Sequence, residues 1–150
     1  MAADALLLEV VTPEREVVRD SVAEIQLPGS NGYLGILPGH TPLLTELGIG
    51  VLSYRKGGDT RYACVFGGFA EVLPDRVTVL ADVAERAEEI DVARARAALA
   101  AAEKMLGSST ADAGTDWIAV QQSITRAQIR LQAAVRNGRA LGEGETYRAG

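Results

Sequence analysis

Gly29-Ser-Asn-Gly-Tyr-Leu-Gly-Ile-Leu-Pro-Gly-His-Thr-Pro-Leu-Leu44 holds two turns and a short strand in sixteen residues, with His40, the single histidine of the chain, in the second turn. Asn31-Gly32 readily takes the positive-φ geometry of a tight hairpin turn. Pro38-Gly39 and Thr41-Pro42 are turn dipeptides too, and each proline withholds a ladder N–H. The stretch therefore reads as rigid loop, apolar strand, rigid loop. Such a construction suits a surface against which something docks.

Strand-like runs flank it on both sides. Leu6–Val11, Glu16–Asp20, Val22–Leu27, Tyr33–Leu37, Ile49–Arg55, Arg61–Phe66, Phe69–Leu73 and Arg76–Ala81 are short, rich in Val, Leu, Ile and aromatics, and bounded by Gly, Pro, Asp or Ser. Ala23-Glu-Ile-Gln-Leu27 and Arg76-Val-Thr-Val-Leu80 alternate, which buries one face and wets the other. Lys56-Gly-Gly-Asp59 and Leu73-Pro-Asp-Arg76 read as turns between strands. Close spacing of so many strands predicts an antiparallel sandwich or barrel. Gly67-Gly68 interrupts an otherwise long strand and marks a bulge or a strand that changes sheet.

Beyond about Glu85 the period becomes helical. A first helix is predicted from about Asp91, its N-cap, to Leu106, with Gly107 as the stop and Ala95, Ala98, Leu99, Ala102 and Leu106 on one face. A second starts at Thr115 or Asp116 and ends at Asn137-Gly138, with the stripe Trp117, Val120, Ile124, Ala127, Leu131 and Ala134. One loop, Gly107–Gly114, joins them into an αα-hairpin. Glu88-Glu89 precedes the first helix and is read as favouring its dipole. Seven of the ten residues from Ala93 to Ala102 are alanine. Such a helix is stable in itself but gains little on docking, about 0.8 kcal/mol per buried carbon, which suits detachment and re-docking, or equally close packing alone.

The whole-chain numbers bound the class. With 150 residues, 47% hydrophobic and 23% charged, the chain supports one ordinary domain, or a domain plus an appendage. No apolar run reaches the roughly 18–20 residues that span a bilayer, and Leu6-Leu7-Leu8 is too short for a signal peptide core. Cys64, the one cysteine, excludes an internal disulfide and reads as a small core residue. Net charge is −5, yet residues 1–106 carry 16 acidic and 10 basic side chains while residues 107–150 carry 4 and 5. Arg126, Arg130, Arg136 and Arg139 follow Asp116 with no acid between them. Catalytic signatures are absent from the sequence: no Gly-x-Ser-x-Gly, no His-Glu-x-x-His and no phosphate loop.

Residues 29–44 resemble the signature of the epsilon subunit of bacterial F-type ATP synthase. Phe66-Gly-Gly-Phe-Ala-Glu-Val-Leu-Pro-Asp-Arg-Val-Thr-Val-Leu-Ala-Asp82 resembles a second signature of that family, and the resemblance covers about residues 6–137. It implies an N-terminal antiparallel β-sandwich of about ten strands (residues 1–86) that binds the gamma subunit and the c-ring. A regulatory two-helix hairpin (87–138) and a flexible tail (139–150) follow. It implies a non-catalytic subunit of the rotating central stalk, which couples proton flow to ATP synthesis on the cytoplasmic face of the bacterial membrane. Contact with the membrane is then only through the complex, and no nucleic acid is involved. The hairpin becomes a candidate inhibitor of ATP hydrolysis that extends towards the catalytic beta and alpha subunits.

By the same resemblance Asn31, Gly32, Tyr33, Leu34, Pro38, Gly39 and His40 face the c-ring, with Tyr33 standing where many relatives carry an acid. Ile90-Asp-Val-Ala-Arg-Ala95 matches a pattern with which some members bind ATP, which makes Asp91, Arg94, Ala95, Arg126 and Arg130 a candidate nucleotide site. Ala101 departs from the arginine of the ATP-binding members. Arg126, Arg130 and Arg136 are the candidate inhibitory contacts to beta. No cofactor is required, and ATP enters only as a candidate regulator. The alternatives are a coupling subunit with little inhibitory role, and a non-enzymatic ligand-binding sandwich of another kind. For the latter, 5% aromatic content is poor in platform residues.

Overall fold

The computed structural model describes residues 4–108 and 113–138. Seven strands come first: β1 (Leu6–Val11), β2 (Glu16–Val22), β3 (Glu24–Gly29), β4 (Gly32–Ile36), β5 (Leu43–Lys56), β6 (Asp59–Val72) and β7 (Arg76–Arg86). A single 3-10 turn, Ala87–Glu89, leads to α1 (Val92–Leu106) and α2 (Trp117–Arg136). The chain divides into two units between Glu89 and Ile90, three residues beyond the boundary expected from sequence.

All seven strands belong to one hydrogen-bonded sheet in the order β2-β1-β7-β6-β5-β3-β4, with β1 parallel to β7 and the other pairs antiparallel. The sheet folds over on itself into a sandwich. Three strands separate β2 from β5 in the sheet, yet Asp20 of β2 lies 2.6 Å from Lys56 of β5 and 3.8 Å from Arg61 of β6. Ala23 N–H also donates to the Arg55 carbonyl at 2.8 Å. Leu6, Leu8 and Val10 of β1, Ile25 and Leu27 of β3, Val72 of β6 and Val77 and Val79 of β7 are fully buried in the enclosed core.

The count of seven corrects the expected ten or so. Arg61–Phe66 and Phe69–Leu73 are parts of one strand, because Gly67 and Gly68 take φ of +74° and +118° and bend β6 without ending it. A Cβ at Gly68 would collide with the Leu80 carbonyl, so only glycine permits this close strand approach. Likewise β5 begins at Leu43 rather than Ile49. Strand runs of 14 residues let the same chain serve both layers. The turns at Gly57-Gly58 and Leu73–Arg76 and the burial of Cys64 are as the sequence indicates.

The helices start where carboxylates cap them. Asp91 accepts from Arg94 N–H at 3.0 Å, and Asp116 accepts from Ala119 N–H at 3.0 Å. The hairpin core is thin. Ala95 meets Leu131 between half-buried Val92 and Leu99, and Ala102 meets Val120 and Ile124. Trp117, Ala98 and Leu106 were expected on the buried stripes and are exposed instead, because the stripes converge only where the two helices face each other. The centre of the Gly107–Gly114 loop, the tail from Arg139 onward, and hence Arg139 itself lie outside the described residues.

Candidate functional site

The opening stretch forms the β3–β4 hairpin and the loop after it. The tight turn is Ser30-Asn31, one residue earlier than Asn31-Gly32, and the positive φ (+127°) falls on Gly32 alone. Ser30 N–H donates to the Glu46 carbonyl at 3.0 Å and ties the tip to β5. At the other end of β4, Gly39 (φ +86°) donates its N–H to the Pro74 carbonyl at 2.7 Å. The half-buried His40 ring donates from Nδ1 to the Thr41 carbonyl at 2.6 Å. β4 thus separates Asn31-Gly32 from Pro38-Gly39-His40 by on the order of 20 Å, at about 3.4 Å per residue. The seven residues expected at the c-ring thus fall into two groups, one at each end of this strand.

Tyr33 has an internal task. Between the pairs Gln26–Ser53 and Gly29–Leu47, two residues of β3 oppose five of β5. Pro28 lies in this gap and has no N–H to offer. The displaced Val51 N–H donates instead to the Tyr33 hydroxyl at 3.0 Å. The ring crosses Gly50, where a Cβ would sit 3.3 Å from ring carbon Cζ and 2.7 Å from Pro28 Cβ. Tyr33 therefore closes a bulge that the backbone alone leaves unsatisfied.

On β5–β7 the pleat sends one set of side chains into the core and the other outward. Ala70, Val72, Val77 and Val79 are buried. Phe69 and Leu80, which are direct cross-strand partners, are 54% and 58% exposed, and Leu44 is 72% exposed. Glu46 pairs with Phe69, and Glu71 lies opposite Leu44, so acids border an outward apolar row. Large exposed side chains in register on a sheet face are costly in water unless a partner covers them.

At the end of this unit Arg15, from the β1–β2 turn, grips Glu89 with both terminal nitrogens, at 3.0 and 2.6 Å. Arg86 donates to the same carboxylate from Nε at 3.1 Å and from Nη2. Hydrogen bonds from Arg15 and then Arg86 lower the Glu89 pKa to about 2, and both guanidinium groups are raised in turn. Glu89 thus belongs to the sandwich and is not spent on the α1 dipole.

In the hairpin, Ala95 against Leu131 sets Asp91 and Arg94 at the same end as Arg130. Antiparallel helices are related by a two-fold axis. Residues one before the facing positions therefore share a broad face, so Arg94, Arg126 and Arg130 lie on one side of the hairpin. Arg94 and Arg126 are exposed and Arg130 is half-buried. One Asp91 oxygen is engaged as the cap. Three guanidinium groups on one face suit a polyphosphate. Arg136 is exposed at the last turn of α2. Among the described residues no group of His, Cys, Asp or Glu could hold a metal, and no helix is long and apolar enough to cross a membrane.

Residues 5–87 match the family model described as the beta-sandwich domain of the ATP synthase delta/epsilon chain, and residues 88–134 match its long alpha-helix domain. The chain belongs to the ATP synthase epsilon-chain family. It is 49% identical over 137 residues to ATP synthase epsilon chain 2 of Syntrophotalea carbinolica, covering 91% of this chain and 99% of that one. Over 96 residues it is 66% identical to the epsilon chain of Solibacter usitatus, covering 64% and 72%. Its structure superposes on a chain of the Euglena gracilis mitochondrial ATP synthase, in a structure holding OSCP, F1 and the c-ring, with a TM-score of 0.74. Identity there is 25%, over 90% of this chain and 84% of that one. Epsilon chains are non-catalytic subunits of the synthase.

Three features of this epsilon chain escaped the sequence reading. Alternation in Phe69-Ala-Glu-Val72 and Val77-Thr-Val-Leu80 could have exposed the outward row, since Ala70, Val72, Val77 and Val79 are the evident core set. The Tyr33–Val51 bond depends on a register break, and the Arg15–Glu89 pair spans 74 positions, so local pattern carries neither.

Proposed function

We propose that this epsilon chain is a part of the rotating central stalk that couples proton flow to ATP synthesis. The sandwich joins gamma and the c-ring, and the hairpin restrains ATP hydrolysis. The single observation that carries the coupling role is the exposed cross-strand pair Phe69 and Leu80 on β6 and β7, with Leu44 exposed beside it on β5. Such exposed apolar side chains suit a permanent apolar partner, which we assign to gamma. The two rigid loops at the ends of β4 provide separate contacts. Asn31, Gly32, Tyr33 and Leu34 at one end, and Pro38, Gly39 and His40, anchored through Pro74, at the other, meet the c-ring. Association with the cytoplasmic face of the membrane is then through the complex.

The hairpin reading rests on its thin alanine core and on its one-sided arginines. Arg94, Arg126 and Arg130, with Asp91 and Ala95, take ATP when the helices are paired. Arg126, Arg130 and Arg136 take acidic segments of the beta and alpha subunits when the arm extends. Phe69→Asp with Leu80→Asp tests the docking. The doubly substituted chain folds but is lost from purified gamma–epsilon complex. Retention at the wild-type ratio contradicts the assignment.

A further inference from the structure

We propose that Arg15, Arg86 and Glu89 form a charge clamp that holds the turn Ala87–Glu89, from which the hairpin departs, on the sandwich. β7 ends at Arg86, the 3-10 turn Ala87–Glu89 follows, and α1 begins at Val92. Ala87 is fully buried, which secures the turn from below. Arg15 is brought from the β1–β2 turn and binds both Glu89 oxygens, and Arg86 binds one of them from the other side. The last residue of this turn is therefore held from two elements of the sandwich, one of them 74 positions away in sequence.

Asp91, the next residue but one, is committed as the α1 cap. Two residues thus separate a fixed anchor from a capped helix. Ile90, between them, is itself buried, so a moving hairpin must work against both the clamp and the burial of Ile90. With the clamp open, the burial of Ala87 and Ile90 alone holds the turn, and it opens more often. The clamp is made of partly exposed side chains, so it can open without unfolding the core. Its regulatory meaning rests on the reading of the hairpin as a movable arm, whereas the clamp itself is a property of the isolated chain.

Hydrogen–deuterium exchange on the full isolated chain tests it, comparing wild type with Glu89→Gln, Arg15→Gln and the double variant over a peptide spanning residues 84–92. The single variants are expected to raise exchange there about fivefold, with peptides from β1 and β6 unchanged and the double variant no faster than either single. Unchanged exchange in Glu89→Gln overturns the proposal, as does a double variant whose effect is the product of two independent ones. Neither readout involves ATP hydrolysis, so failure of the clamp and failure of the inhibitory reading are separable.

Discussion

Removing the Tyr33 hydroxyl strands the Val51 N–H, whose residue is fully buried, beside a proline that cannot help. Tyr33→Phe should therefore lower stability by about 1–2 kcal/mol in a denaturant melt, although Tyr33 itself is more than half exposed. A loss under about 0.3 kcal/mol would mean that water satisfies the amide. Glu89 gives a pH signature. It is ionised down to about pH 2 in the fold but only to about 4.5 in the unfolded chain. Its stabilisation is complete above about pH 4.5 and fades as the pH falls towards 2. Exposed pairs of this kind are worth about 0.2–1 kcal/mol, so wild type and Glu89→Gln should differ by that much at pH 7 and converge near pH 2. At this scale the sequence was readable where chemistry is local. Asp91 and Asp116 cap the helices they precede, and Cys64 is buried. Tyr33 was not readable, because its role comes from a gap of five residues against two in strands that only the fold brings together.

Strands and helices were legible to different degrees. Turn dipeptides at Gly57-Gly58 and Pro74-Asp75 marked true ends, whereas Gly67-Gly68 marked a bend inside β6. A glycine pair signals positive φ equally in both situations, and pairing with neighbours on both sides decides whether the strand continues. Gly68→Ala, placed at φ +118° against the Leu80 carbonyl, should cost at least about 2 kcal/mol or prevent folding. Gly58→Ala, with open space around it, should cost under about 1 kcal/mol by the same melt. In the hairpin, Leu131→Ala removes the one large side chain opposite Ala95. It should weaken helix pairing by about 2–3 kcal/mol, seen as faster amide exchange throughout residues 92–106, while the sandwich melts as before. The helical stripes were read correctly at Ala95, Ala102, Val120, Ile124, Ala127, Leu131 and Ala134 but not at Ala98. They failed at Trp117 and Leu106, because a period identifies a face but not how far along it a partner extends.

For the whole molecule, the two units are unlike in build. The sandwich has a deep core of branched aliphatics, turns pinned by backbone hydrogen bonds, and an outward apolar row on its middle strands. The hairpin is held by alanine contacts and a few larger side chains, which permits pairing and release at small free-energy differences. The family was legible in two stretches, residues 29–44 and 66–82, since their glycines and prolines are demanded by backbone geometry. The outward apolar side chains and the Arg15–Glu89 pair were not legible, since both arise from residues on separate strands or turns. The most direct measurement is the ATPase and ATP-driven proton-pumping rate of the assembled synthase carrying an epsilon chain ended after Glu89. The account predicts a several-fold rise in ATP hydrolysis with pumping per ATP retained, because the sandwich alone couples the rotor and the hairpin only restrains it. Unchanged hydrolysis, or hydrolysis uncoupled from pumping, would contradict it.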